Sequence, residues 1–284
     1  MTAAPSQGTV DLQAHSTASD GAIAPGDIAA IANAAKVVAF ALTDHDSVSG
    51  IAAATAAGDQ LHVRVVPGVE LSAMQGEQEL HLLGLHVDPV GGLEVKLGEF
   101  REQRERRAEM IVTKLQALGL PIAFSDVVRE ARGGAFGRPH VARALIAAGA
   151  CQDFREAFDR YIGAGRPAYV AKPKLSVRDA IAIVHDAGGL AIWAHPAGAG
   201  RREALEPLVA DGLDGVEVRH PSHSNEDATR IMALCEHFGL VASGGSDWHG
   251  EATGRRTLGS MQVPVEWLEI QDARVAARRA AGVS

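Results

Sequence analysis

Hydrophobic and polar positions along the chain switch repeatedly between a period of two and a period near 3.6. In VDLQAHSTASDG, residues 10 to 21, Val10 and Leu12 fall on one face of a strand while Asp11, Gln13 and His15 share the other, because successive strand side chains point to opposite faces. Helical spacing of Ile28 and Ile31 follows a Pro-Gly entry, and VVAFALTDHD is then a continuous apolar run. Such a run is the pattern of a strand buried on both faces. An Ala-rich helix over residues 50 to 57 leads to HVRVVPGVEL, a strand ending in Glu70, and LHLLGLHV is a strand starting with His81. Three more apolar runs follow: LAIWAHP ends in His195, LDGVEVRHPSHS ends among Glu217, His220 and His223, and LVASGGSDWHG ends in Asp247 and His249. Strands alternating with helices predict an α/β fold with a parallel, barrel-forming sheet.

One stretch breaks the alternation. Between Glu94 and Lys172 no strand is evident, and RERRAEMIVTKLQALGLP places Ile111, Leu115 and Leu118 on one helical face that stops at Gly119. RPHVARALIAAGA and DFREAFDRYIGAG read as further helices, the second carrying Phe154, Phe158 and Tyr161 at i, i+4 and i+7. The expected organisation is a barrel domain over residues 9–98 and 173–284, with a helical insertion over 99–172 that covers its mouth. Arg101, Arg104, Arg106 and Arg107 are interleaved with Glu102 and Glu105, the pattern of a solvated helix face.

Composition narrows the function classes. With 284 residues, 46% of them hydrophobic, the chain can build one large α/β domain with an insertion, or two domains. A formal charge of −8 argues against a surface that holds duplex nucleic acid by counterion release. A small phosphorylated ligand or a short single strand in a local pocket stays compatible. Cys151 and Cys235 lack metal-binding or disulfide spacing, which fits a reducing cytoplasm. The first residues have no leader pattern and no apolar run approaches the ~18 residues of a membrane span, so neither secretion nor membrane insertion is expected.

Twelve histidines against seven Phe and two Tyr stand out. In most of the strand units the metal-capable side chain comes at the C-terminal end, and in parallel barrels the loops there converge on one mouth. Imidazoles and carboxylates gathered there would be poorly satisfied without a cation, whereas divalent metals accept such N and O donors.

Seven segments in order, DLQAHSTASDG, LTDHD, PGVE, HLLGL, GRPHVARAL, AHP and GSDWHG, resemble the PHP family, the polymerase and histidinol phosphatase metal-dependent phosphoesterases. The match runs from about Val10 to Gly250 and is nearest the branch acting on nucleoside 3',5'-bisphosphates and, in some members, on short RNA from its 5' end. The resemblance implies a distorted (β/α)7 TIM-like barrel with two or three divalent metals, manganese first, with iron, zinc or magnesium as alternatives. It implies ligands at His15, Asp20, His45, Glu70, His81, His195, Asp247 and His249, with Gln13 at the place of the first ligand and Glu70 as the bridging carboxylate. Arg138 and His140 match positions that contact the substrate phosphate. Arginine offers a planar fork of donors, and a neighbouring histidine is a candidate general acid.

Gln13 departs from the family pattern. Its amide oxygen is a neutral ligand, better suited to magnesium or manganese than to zinc or iron. A two-metal site, a three-metal site with one weak ligand, and an engineered or inactive relative all remain open at this point. Asp11, Asp44 and Asp46 read either as groups orienting the ligand histidines or as loop acids. Ser16, Thr17 and Ser19 read either as phosphate donors or as caps of the following turn. His220 and His223 read as pocket-lining or structural, and Lys172 and Lys174 as contacts for a second phosphate. The expected activity is removal of the 3'-phosphate from a nucleoside bisphosphate. The alternatives are 5'-3' cleavage of short RNA, hydrolysis of another metabolite such as histidinol phosphate, or non-catalytic binding of metal and nucleotide. The expected partner is a small phosphorylated nucleotide, and nothing in the chain specifies monomer or oligomer.

Overall fold

The computed structural model describes residues 8–88, 92–131, 136–171 and 175–281. Lys172 and Lys174 lie outside them. The chain divides into two compact units, Val95–Lys174 and the remainder on either side of it. The larger unit begins with β1 (Thr9–Ala14), α1 (Pro25–Ala34), β2 (Val37–Leu42), α2 (Ile51–Leu61), β3 (Arg64–Gln75) and β4 (Gln78–Leu85). Helix α3 (Gly92–Ala117) leads into the smaller unit, which continues with α4 (Phe124–Ala131), α5 (Arg138–Ala147) and α6 (Phe154–Ala157). The larger unit then resumes with α7 (Val177–Asp186), β5 (Leu190–Trp193), α8 (Arg202–Ala210), β6 (Gly215–Arg219), α9 (Asn225–Phe238), β7 (Val241–Gly244), β8 (Val263–Pro264) and α10 (Val265–Ala280).

Among the described residues eight strands form one sheet in the order β7-β6-β5-β4-β3-β2-β1-β8, curled into a nearly closed, distorted TIM-like barrel. The seam lies between β1 and the segment after β7. There His15 N donates to Trp248 O at 2.8 Å, and Ala14 bridges Trp248 in parallel. Gly245 permits this approach, since a Cβ at that position would lie 2.5 Å from the Gln13 nitrogen. Trp248 is buried as packing, its indole N–H donating to Glu251 O at 2.9 Å.

The parallel expectation holds for β1–β2, β2–β3, β5–β6 and β6–β7. It fails at β4, which runs antiparallel to both β3 and β5. Strand β3 does not end at Glu70 but continues to Gln75, where Gly76 at φ 62° reverses the chain into a tight hairpin. This reversal explains His81. It lies near the start of its strand, yet it pairs with Ser72, two residues beyond Glu70 on β3.

Fully buried Val66, Leu83, Leu85, Leu190 and Ile192 belong to one core cluster with Leu268 and Val275 of α10. Each such aliphatic side chain contributes about 1.5–3 kcal/mol on burial. The smaller unit has its own core, including Ile111, Leu115, Val127, Val141, Leu145 and Ile162. Leu118 departs from the expected helical face and is 47% exposed, because α3 stops at Ala117 and the chain turns at Gly119. Phe154 is likewise exposed, and Phe158–Ile162 form a π-helical turn after α6, so the expected aromatic stripe is interrupted.

Buried Asp214, just before β6, ties this part of the barrel to α7 and α10. Its carboxylate accepts from His185 Nε2 at 2.8 Å, Arg278 Nη2 at 2.6 Å and the Ala191 nitrogen at 2.9 Å. Burial opposes its charge, but His185 and Arg278 outweigh that and hold its pKa below the usual 3.8. A depressed carboxylate pKa gives stability that is present above the unfolded value and lost as pH falls through the folded one. Asp214→Asn should therefore lower the unfolding midpoint at neutral pH, and the gap to wild type should close below about pH 4. A gap of constant size in denaturant titrations across that range would contradict the assignment.

Candidate metal centre

Gln13 and His15 leave β1 on the same face, as the strand period requires, and both reach one atom. Gln13 Nε2 donates to Glu70 Oε2 at 3.2 Å, and His15 Nε2 lies 3.0 Å from the same oxygen. The other oxygen, Oε1, lies 2.6 Å from His81 Nδ1 and 3.3 Å from His195 Nε2. Three sets of donor atoms thus adjoin: His15, Asp20 and His249; His15, His45 and Glu70; Glu70, His81 and His195. His15 and Glu70 each belong to two sets. The imidazoles form an arc, with ring centroids 4.3 Å apart for His15 and His249, 4.9 Å for His15 and His45, 5.4 Å for His45 and His81, and 5.1 Å for His81 and His195.

Local backbone aims these groups. His195 and Asp247 take left-handed conformations at φ 35° and 52° just beyond β5 and β7. Such positions cost about 1–3 kcal/mol for residues other than glycine. The turn after β1 is tied by Asp44, which accepts from Ser16 N at 2.7 Å, Ser16 Oγ at 2.7 Å and Ser19 Oγ at 2.6 Å. Ser16 Oγ also accepts from Ala18 N at 3.0 Å, the turn-capping alternative, and Ser16 is fully buried. The orienting role weighed for Asp11 and Asp44 is corrected. Asp11 accepts from the nitrogens of Gly259 at 2.7 Å and Ser246 at 2.9 Å, so both aspartates hold backbone loops and not imidazoles.

Electrostatics favour a cation here. Burial opposes ionisation of Glu70, but His45, His81, His15 and His195 hold its carboxyl well below the usual range. Burial likewise opposes Asp20, which His249, His45 and His15 keep strongly depressed. His195 is disfavoured as a cation by burial, yet Glu70 raises it to about 9, whereas burial lowers His45 to about 4. Burial also pushes Glu217 up to about 8; its Oε2 accepts from His195 N at 2.8 Å. Nδ1 of His15 and Nδ1 of His45 are buried without a hydrogen bond. Ring nitrogens facing shared points instead of one another fit divalent ions, which draw N and O donors inward.

The remaining candidates separate cleanly. Both ring nitrogens of His223 meet backbone: its Nδ1 lies 3.0 Å from Val218 O and its Nε2 accepts from Ala197 N at 3.0 Å. His220 is different. Its Nδ1 accepts from Ser222 N at 3.1 Å with Ser222 Oγ at 2.8 Å, so the neutral ring carries its proton on Nε2, 3.6 Å from Asp247 Oδ2. Arg256 ion-pairs with Asp247 Oδ2 and donates to Asp247 O at 3.2 Å. No spacing or periodicity in GRRTLG signals that contact. Arg138 and His140 open α5 of the smaller unit, where the Arg138 guanidinium lies over the rings of Phe158 and Tyr169, and buried His140 Nδ1 accepts from Gly137 N at 3.1 Å. A cavity of about 280 Å³ adjoins the arc, lined by His81, His195, Trp193, Pro196, Ala199 and residues of β4. Both cysteines are buried and free.

The PHP domain family model matches residues 11–164. A 3',5'-nucleoside bisphosphate phosphatase of Chromobacterium violaceum is 36% identical over 260 residues, covering 88% of this chain and 90% of that protein. The 5'-3' exoribonuclease Rnm of Escherichia coli is 34% identical over 250 residues, covering 84% of each. A solved structure of a proposed metal-dependent phosphoesterase from Bifidobacterium adolescentis superposes with a TM-score of 0.82 at 30% identity, covering 95% of this chain and 98% of that one.

Because Glu70 holds His195 protonated up to about pH 9, a metal ion must displace that proton to bind. Manganese loading in weak buffer at neutral pH should release protons, and apparent affinity should rise as pH is raised toward about 9. A calorimetric titration in buffers of differing ionisation enthalpy measures both, and a proton-neutral binding event would contradict this picture.

Proposed function

The chain belongs to the PHP-domain family of metal-dependent phosphoesterases, and from that premise we propose that it removes the 3'-phosphate of nucleoside 3',5'-bisphosphates such as adenosine 3',5'-bisphosphate. The observation that carries this reading is Glu70, one buried carboxylate shared between donor sets on both of its oxygens and set beside a cavity near the lower limit of small-ligand clefts. Its likeness to a bisphosphate phosphatase over most of both chains supports the choice of substrate. Glu70, His81 and His195 would form one ligand set, His15, Asp20 and His249 a second, and His15, His45 and Glu70 a third between them. Asp247 adjoins His15 at 3.3 Å. Divalent ions held there, manganese first among manganese, iron, zinc and magnesium, supply Lewis acidity toward the phosphoryl oxygens and a nucleophile at neutral pH.

The chain's own residues position the ester. Arg138 offers its guanidinium to the substrate phosphate, pre-oriented by Phe158 and Tyr169. His140, whose Nδ1 accepts from Gly137 N, is the candidate general acid for the leaving ribose oxygen. Neither cysteine is a nucleophile in this scheme, and a net charge of −8 suits a small nucleotide held locally better than a duplex. Among the described residues no helix is long and apolar enough to cross a membrane, and a cytoplasmic location fits the free thiols. A second reading, 5'-3' cleavage of short RNA, is favoured by the likeness to the Escherichia coli exoribonuclease.

Incubation with manganese and adenosine 3',5'-bisphosphate should release inorganic phosphate and leave the 5'-monophosphate. Asp247→Ala should abolish turnover with the fold intact by circular dichroism. Arg138→Ala should raise KM about tenfold or more, the loss of a hydrogen bond to a charged group. Turnover of a trinucleotide with no phosphate released from the bisphosphate would replace the first reading with the second.

A further inference from the structure

Asp247 is the corner of the cluster where this chain places its own cationic side chain. Its Oδ1 lies 3.3 Å from His15 Nε2, but its Oδ2 is engaged by the Arg256 guanidinium and faced by the His220 N–H at 3.6 Å. Across His15, the Gln13 amide directs its NH2 group at Glu70 Oε2, the oxygen turned toward Asp247 and away from His81 and His195. An amide N–H cannot ligate a metal, and a carboxylate bound by guanidinium is already neutralised. A hydrogen bond from Gln13 and an ion pair from Arg256 therefore engage Glu70 Oε2 and Asp247 Oδ2, oxygens that would otherwise be offered to an ion. The flanking carboxylates meet imidazoles alone: no arginine or lysine is paired with Asp20 or Glu70 among the described residues.

We propose that Arg256, paired with Asp247 and assisted by Gln13 and His220, takes the place of a divalent ion at this corner, so that the chain holds two ions and not three. One lies with Glu70, His81 and His195, the other with Asp20 and the imidazoles around it. This rests on the metal-dependent reading above and specifies its stoichiometry. Substitution of an imidazole by an amide at position 13 then has a counterpart 243 positions along the chain, at Arg256, where a fixed positive charge makes good the missing ion. Arginine suits the role because its charge persists at every working pH and its fork matches a carboxylate.

The test is metal content, which does not depend on turnover. The full chain is stripped with chelator, reloaded with manganese, freed of excess by gel filtration and analysed by plasma mass spectrometry. Wild type should carry two equivalents per chain, and the double variant Gln13→His with Arg256→Ala should carry three. Arg256→Ala alone should show an added weak site by manganese electron paramagnetic resonance. Three equivalents in wild type would overturn the proposal while leaving the phosphoesterase intact, and would assign the unpartnered Gln13 Oε1 as a ligand. A double variant that folds by circular dichroism and stays at two would also overturn it. No manganese retained by wild type would remove the metal-dependent reading and this inference together.

Discussion

A single buried carboxylate governs the architecture. Glu70 is 1% exposed in the middle of a barrel strand, where an unpaired charge would cost many kcal/mol. It persists because Gln13, His15, His81 and His195 converge on its two oxygens from three other chain segments. Those partners come from β1, from β4 and from the turn after β5, so satisfying one acid fixes the relative placement of half the barrel. The same convergence leaves several imidazole nitrogens aimed at shared space, which is the property a metal cluster requires.

Two backbone devices make the convergence possible. The hairpin at Gly76 reverses the chain so that β4 runs against its neighbours, bringing His81 back beside Glu70 on β3. Left-handed residues at His195 and Asp247 then turn side chains that a regular strand would send elsewhere. Strain held at a ligand position is consistent with the site and not the packing having shaped these bends. Aspartates beneath the cluster serve as ties: Asp44 gathers the serines of the first loop and Asp11 the loop after β7.

The smaller unit has an independent apolar core, so Arg138 and His140 are positioned by packing that owes nothing to the metal groups. Phe158 and Tyr169 confine the guanidinium, while the Gly137 N–H fixes the His140 tautomer.

Much of this was legible from residue order. Apolar runs ending in Asp, His or Glu marked the strands and their ligand-bearing ends, since period and chemistry are both local properties. The helical character of the stretch between β4 and α7, the same-face placement of Gln13 and His15, and the departure at Gln13 were equally open to reading. The reversed β4, the continuation of β3 beyond Glu70 and the exposure of Leu118 were not. Strand direction depends on partners distant in sequence, and a helix end depends on where the chain must turn. The roles of His220, His223, Ser16 and Arg256 were likewise decided in three dimensions. Each is set by which hydrogen-bond partner arrives from elsewhere: Ser222 or Val218 for a tautomer, Asp44 for a hydroxyl, Asp247 for a guanidinium. Sequence thus determined which chemical groups the protein possesses and the period on which they recur, while tertiary structure alone decided which of them meet, because contacts are made across the barrel and not along the chain.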